Sequence, residues 1–143
     1  DDTDHLVIDL PPGTGDAQLS LVQTAPLSGG LIVTTPQDVA LIDVKRGVQM
    51  FRKLNVPILG IVENMSYLEQ SGNEEVIDIF GRGGGKKMAE QFGVPVLGEI
   101  PIDPDIRKGG DSGVPIVESH PDSTAAKAFN QIAETILNTI EKS

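Results

Sequence analysis

The sequence predicts an α/β fold, a parallel sheet with flanking helices. Two observations predict it. Apolar runs of strand length recur at residues 5–10, 31–35, 58–63 and 96–100, each rich in Val, Ile and Leu without clean alternation. That is the pattern of parallel strands buried on both faces. Segments of helical character lie between the runs, and strand–helix alternation implies a parallel sheet with right-handed crossovers.

The first run, 5–10, contains Asp9 and passes through a Pro/Gly turn into a helix expected over 16–25. After the run at 31–35, a helix is expected over 39–54. Its apolar stripe is Leu41, Val44, Val48 and Phe51, with Asp38 placed to cap its start. The run at 58–63 is followed by the least patterned and most acidic stretch, 69–78. Unpatterned inserts of this kind often carry function in α/β folds. A helix expected over 86–92 stops at Gly93, a typical terminator. The run at 96–100 precedes a glycine-bearing loop with Gly109, Gly110 and Gly113. A final helix is expected over 123–141, with Phe129, Ile132, Ala133, Ile136, Leu137 and Ile140 on one face. No internal repeat or low-complexity tract is present.

The chain has 143 residues, enough for one domain with a core. Its net charge of −10 disfavours phosphate backbones and anionic lipid, so nucleic acid and membrane are not expected partners. A local nucleotide site survives that argument, because backbone N–H groups and a metal ion hold phosphates without net positive charge. No apolar run approaches the ~20 residues of a membrane helix. No leader precedes the first strand, and the abrupt acidic start reads as a cut piece of a longer chain. There are no cysteines, which excludes disulfides, thiolate catalysis and thiolate-held clusters within this chain. His5 and His120 have no partner nearby in sequence and read as surface or strand-edge residues.

The phosphate-side signal is HLVIDLPPGTGD, residues 5–16. Ligands in open α/β sheets sit at the carboxyl ends of strands. Asp9 there could hold a magnesium ion through water. Gly13 has no side chain to block a phosphate, and its N–H could point at a terminal phosphate. Pro11 and Pro12 stiffen the approach, and Gly15 allows unusual dihedrals. The same residues also read as a strand end, a good turn and a helix cap at Asp16.

The segment VIDLPPGTGD, residues 7–16, resembles the Walker B and switch II segment of Mrp/ApbC-type ATPases. These form the iron–sulfur cluster carrier family, related to MinD and the nitrogenase iron protein. The resemblance continues in order through VTTPQDVALIDVKRG (33–47), GIVENMS (60–66), IFGRGGGKKMAE (79–90), VPVLGEIPID (94–103) and IRKGGDSGVPIV (106–117). It covers nearly the whole chain. It implies that residues 1–143 are the C-terminal portion of a single MinD-like P-loop ATPase domain. The cofactors implied are ATP and Mg. Asp9 would be the Walker B aspartate and metal ligand, and Gly13 the switch glycine sensing the γ-phosphate. Asn64 would contact adenine, since a carboxamide both donates and accepts; its plain alternative is a loop asparagine closing a local turn. Pro101 and Asp103 would belong to the loop beside the base. These groups are expected around one hollow. A cytoplasmic homodimer engaging a protein cargo or client follows from the same likeness.

Two departures qualify it. ATP hydrolysis in this class needs G-x-x-x-x-G-K-S/T, and no such sequence exists here. Gly81-Arg82-Gly83-Gly84-Gly85-Lys86-Lys87 has the wrong spacing, no following Ser or Thr and no preceding strand. It reads as a structural, surface-exposed turn. The P-loop strand is expected upstream of Asp1, between the strand at 5–10 and that at 31–35. Without it those two strands pair directly, or another chain fills the gap, or the chain is held together in a way the sequence does not show; an unfilled gap would expose two long apolar edges, an aggregation hazard. The second departure is that the family's C-x-x-C pair falls on about Gln70 and Asn73, which are poor iron–sulfur ligands. Glu69, Glu74, Glu75 and Asp78 would bind a hard cation weakly or form a solvated acidic loop. Two other classes stay open: a non-enzymatic regulatory or scaffold protein, and a membrane-positioning ATPase. The last is disfavoured because Glu134 and Glu141 sit beside Lys127 on the final helix.

Overall fold

In the computed structural model, residues 3–11, 13, 15–69, 76–81 and 83–142 are described. The elements run α1 (Asp16–Thr24), β1 (Gly30–Thr34), α2 (Asp38–Lys53), β2 (Ile58–Glu63), β3 (Leu68–Glu69), β4 (Val76–Ile77), α3 (Gly84–Phe92), β5 (Val96–Glu99), α4 (Pro104–Ser112), α5 (Ile116–Ser119) and α6 (Thr124–Ile140). The fold is α/β; among the described residues a three-stranded parallel sheet runs in the order β1-β2-β5, and β3 pairs antiparallel with β4.

The central strand explains the layering. Ile61 and Val62 are both buried, and because successive strand residues face opposite ways they feed two separate cores. On one face Ile61 joins Ile32, the α2 stripe of Leu41, Val44, Val48 and Phe51, and Met88 and Ala89 of α3. On the other Val62 meets Leu97, Ile100 and Ile132 of α6. Each fully buried aliphatic side chain of this kind contributes about 1.5–3 kcal/mol. The helix ends are tied together as well. Arg52, at the end of α2, donates to the Phe92 carbonyl at the end of α3 and lies 5.9 Å from the Phe92 ring centre.

Several expectations need correcting. The run at 5–10 forms no strand, and Leu6 and Val7 are 80% and 91% exposed. A parallel strand needs a neighbour for its backbone groups, and among the described residues β1 pairs only with β2. The gap anticipated between 5–10 and 31–35 is therefore left open rather than closed by direct pairing. β1 is covered on one face only, with Val33 on the other 59% exposed.

The glycines at 109 and 110 lie inside helix α4, not in a loop. Asp103 caps that helix by accepting from the Asp105 N–H, Pro104 opens it, and Gly113 closes it in the left-handed region at φ 75°. Asp38 is the first residue of α2 and makes no side-chain cap; Gln37 takes the cap position. Only Ile132 of the expected α6 face is buried, with Ile136 and Ile140 half-buried and Phe129, Ala133 and Leu137 outward. Ala125 and Ala126 complete its buried side instead. The glycine-rich turn is not simply surface: Gly84 and Gly85 are buried. Among the described residues no helix is long and apolar enough to cross a membrane.

Candidate functional site

The C-terminal ends of β1 and β2 build the most distinctive local structure. β1 runs out through Thr34 and Thr35, and the Asn64 N–H donates to the Thr34 carbonyl at 2.7 Å, which fastens the turn after β2 to the end of β1. An open cavity of about 210 Å³ lies there, lined by Val33, Thr34, Thr35, Ala40, Asp43 and Asn64. It occupies the carboxyl end of the sheet, where parallel α/β folds receive ligands. Asn64 is half-buried, and its Oδ1 accepts from the Met65 N–H at 2.9 Å. Its side-chain NH2 has no partner among the described residues, so one donating edge is free at the cavity wall.

The turn itself is under strain. Met65 has φ 52°, a left-handed conformation uncommon for a residue with a side chain. Its flanks hold it there. The Ser66 N–H donates to the Ile100 carbonyl at 3.0 Å, and the Ile100 N–H donates to the Glu63 carbonyl at 2.8 Å. The Ser66 hydroxyl donates to Glu63 Oε1 at 2.5 Å, and the Gly85 N–H donates to Glu63 Oε2 at 2.6 Å. Glu63 is wholly buried. Neither Glu63 nor Ser66 figures among the residues singled out from the sequence. A carboxylate ending an apolar strand was the available signal, since a buried charge requires partners.

The remaining expected site residues fall elsewhere. Asp9 is exposed in the unpaired 5–10 segment, without an ion pair or hydrogen bond to any described residue. Gly13 is exposed at φ 95°, with open space where a side chain would begin. Pro101 is buried and Asp103 is the α4 cap. None of the four lines the Asn64 cavity. Pro12, Thr14, Gln70, Asn73, Glu74 and Glu75 lie outside the described residues, as does the side chain of Glu69. Asp78 is exposed. His5 is exposed, and exposed His120 lies 4.0 Å from Asp105. No group of three or more His, Cys, Asp or Glu able to hold a metal occurs among the described residues.

Comparison with known proteins adds four matches. A family profile described as ParA, NUBPL iron-transfer P-loop NTPase, matches residues 1–137. An iron-sulfur cluster carrier protein of Deinococcus radiodurans is 55% identical over 137 residues, covering 96% of this chain and 39% of the relative. The chain thus spans about two fifths of that relative's length. Among solved structures, the cell division ATPase MinD of Pyrococcus furiosus matches with a TM-score of 0.74 at 30% identity, over 97% of this chain and 54% of the other. A nucleotide-binding protein of Archaeoglobus fulgidus in complex with ADP matches with a TM-score of 0.65 at 40% identity, over 73% of this chain and 43% of the other.

Proposed function

Because the chain belongs to the family described as ParA, NUBPL iron-transfer P-loop NTPase, we propose that it forms the base-side part of an ATP site in a cluster-carrier-like ATPase. On this reading residues 1–143 are the C-terminal portion of one ATPase domain, and the phosphate-gripping loop comes from a segment upstream. The observation that carries it is the cavity at the carboxyl end of β1, with the Asn64 side-chain NH2 free on its wall and its Oδ1 oriented by the Met65 N–H. A purine edge presents alternating donors and acceptors, which a carboxamide matches.

The P-loop strand would lie against the open side of β1 and seat the 5–10 segment as the next strand. Both surfaces are apolar and uncovered now: Leu6 and Val7 on one side, Leu31 and Val33 on the other. Seated there, Asp9 would hold Mg, which supplies charge neutralisation at the phosphates. The Gly13 N–H would face the γ-phosphate without steric obstruction. Pro101 and Asp103 would support the base-side loop. Association as a homodimer in the cytoplasm, with a client protein, belongs to the same reading.

An iron–sulfur cluster, the cargo named for the Deinococcus relative, does not fit the donors of this chain. Such clusters are held by thiolates, and the chain has no cysteine. That same absence favours a second reading, a regulatory or scaffold protein on this fold that has lost cluster binding. Anaerobic reconstitution of the protein extended upstream separates the two, since a stable, transferable cluster supports the carrier reading.

Nucleotide titration tests the ATP site. The chain alone is expected to bind Mg-ATP weakly or not at all, and the protein extended upstream through the P-loop to bind it tightly. In the extended protein Asn64→Ala should weaken ATP by about tenfold, the equivalent of ~1.4 kcal/mol. Tight Mg-ATP binding by the isolated chain, or an Asn64→Ala variant that binds as the parent does, contradicts the proposal.

A further inference from the structure

We propose that Glu63 is a positioning residue for base recognition, acting through Ser66 to hold the Asn64 side chain in its binding pose and anchoring that turn to helix α3. The inference rests on the reading of Asn64 as the base contact.

The argument starts from burial. Glu63 ends the middle strand of the sheet and is 0% exposed, as is Ser66. A carboxylate in that position requires strong donors on both oxygens. It has them: the Ser66 hydroxyl on one and the Gly85 N–H, in the first turn of α3, on the other. The helix N-terminus suits a negative group. Gly85 is small enough to allow the approach, since a methyl there would lie 3.0 Å from Glu63 Oε2.

The consequence reaches Asn64 through the backbone. Asn64 Oδ1 is oriented by the Met65 N–H. That N–H points where it does because Met65 is held at φ 52°. A strained left-handed residue persists only where its surroundings over-determine it. Here the restraint is Ser66, fixed through its N–H to Ile100 and through its hydroxyl to Glu63. Releasing the hydroxyl leaves the Ser66 N–H to Ile100 as the restraint on that side, which loosens the hold on Met65, shifts its N–H and lets the carboxamide turn from the cavity wall.

The test compares variants of the protein extended upstream, using ATP and GTP as probes. Ser66→Ala removes the turn-side bond and leaves the Glu63–Gly85 bond in place. Glu63→Gln keeps both bonds in altered form: its oxygen accepts from Gly85, and its NH2 donates to Ser66. Ser66→Ala is expected to lose about tenfold in ATP affinity and to narrow the preference for ATP over GTP, with α3 amide exchange unchanged in the absence of nucleotide. Glu63→Gln is expected to retain the preference, the rescue that distinguishes positioning from charge. If Asn64→Ala alters the preference while Ser66→Ala does not, the positioning role is overturned and the base contact stands. If Glu63→Gln is as damaging as Ser66→Ala, it is overturned likewise. If Asn64→Ala changes nothing, the base contact and the positioning role fall together.

Discussion

At the scale of single residues, two glycines in helices have opposite physical meanings. A methyl group on Gly84 would stand 2.6 Å from the backbone carbonyl oxygen of Pro36, an atom that cannot swing aside. The overpacking term of about 1–3 kcal/mol should outweigh the modest helix-propensity gain of alanine at the first position of α3. Gly110, inside α4, meets nothing within 4 Å of such a methyl, so only the propensity term remains. Gly84→Ala should therefore destabilise the chain by about 1–2 kcal/mol, and Gly110→Ala should stabilise it by about 0.5–1 kcal/mol. Urea denaturation of the two variants checks both signs. The contrast was not legible in the sequence, where Gly84 sits in a run of three glycines and Gly110 in a pair. What separates them is a neighbour distant in the chain.

At the scale of elements, legibility followed local context. The strands at 31–35, 58–63 and 96–100 and the stripe of α2 were readable because each carries its own apolar pattern into a core that this chain supplies. The run at 5–10 has a similar apolar composition but forms no strand, because pairing is a property of two segments and none of the described segments pairs with it. The free Asn64 edge could be anticipated, whereas the Glu63–Ser66–Gly85 bonds depend on residues 22 apart in sequence meeting at one carboxylate. Helix α4 was hidden by Gly109 and Gly110, although Asp103-Pro104 at its start and Gly113 at its end were conventional signals. Gly109 is tolerated because the returning chain needs the space: a methyl there would sit 2.6 Å from the Val114 carbonyl oxygen.

The same helix carries a pH-dependent element. A hydrogen bond and the charge of Lys108, with a smaller effect of His120, hold the Asp105 carboxyl below its ordinary 3.8. A carboxyl lowered on folding stabilises the native state above its unfolded pKa, and that contribution is lost as pH falls through the folded value. Lys108→Met should accordingly lower the thermal midpoint slightly at neutral pH, with the difference from the parent vanishing in acid. Thermal melts of both proteins across that acidic range read it out. The effect stays small because both side chains face water.

For the whole molecule, the governing feature is a parallel sheet whose first strand is finished on one side only. Parallel strands ordinarily have both faces covered and both edges protected, yet β1 shows Leu31 and Val33 to solvent and has no partner beyond β2 among the described residues. The isolated chain should self-associate through this surface. Val33→Lys should shift it toward monomer in sedimentation velocity, and an unchanged distribution would place the contact elsewhere. The sheet's other features are self-contained, and one of them has an engineering consequence. The excursion between β2 and α3 enters beside Ser66 and Tyr67, whose backbones are bound to Ile100 and Ile102, and leaves at Gly84 and Gly85, clamped on Pro36 and Glu63. With entry and exit both riveted to the framework, the intervening stretch becomes a socket. An exchange of its length or chemistry, a metal-binding insert or an affinity tag included, is expected to leave the carboxyl end of the parallel sheet beneath it in place.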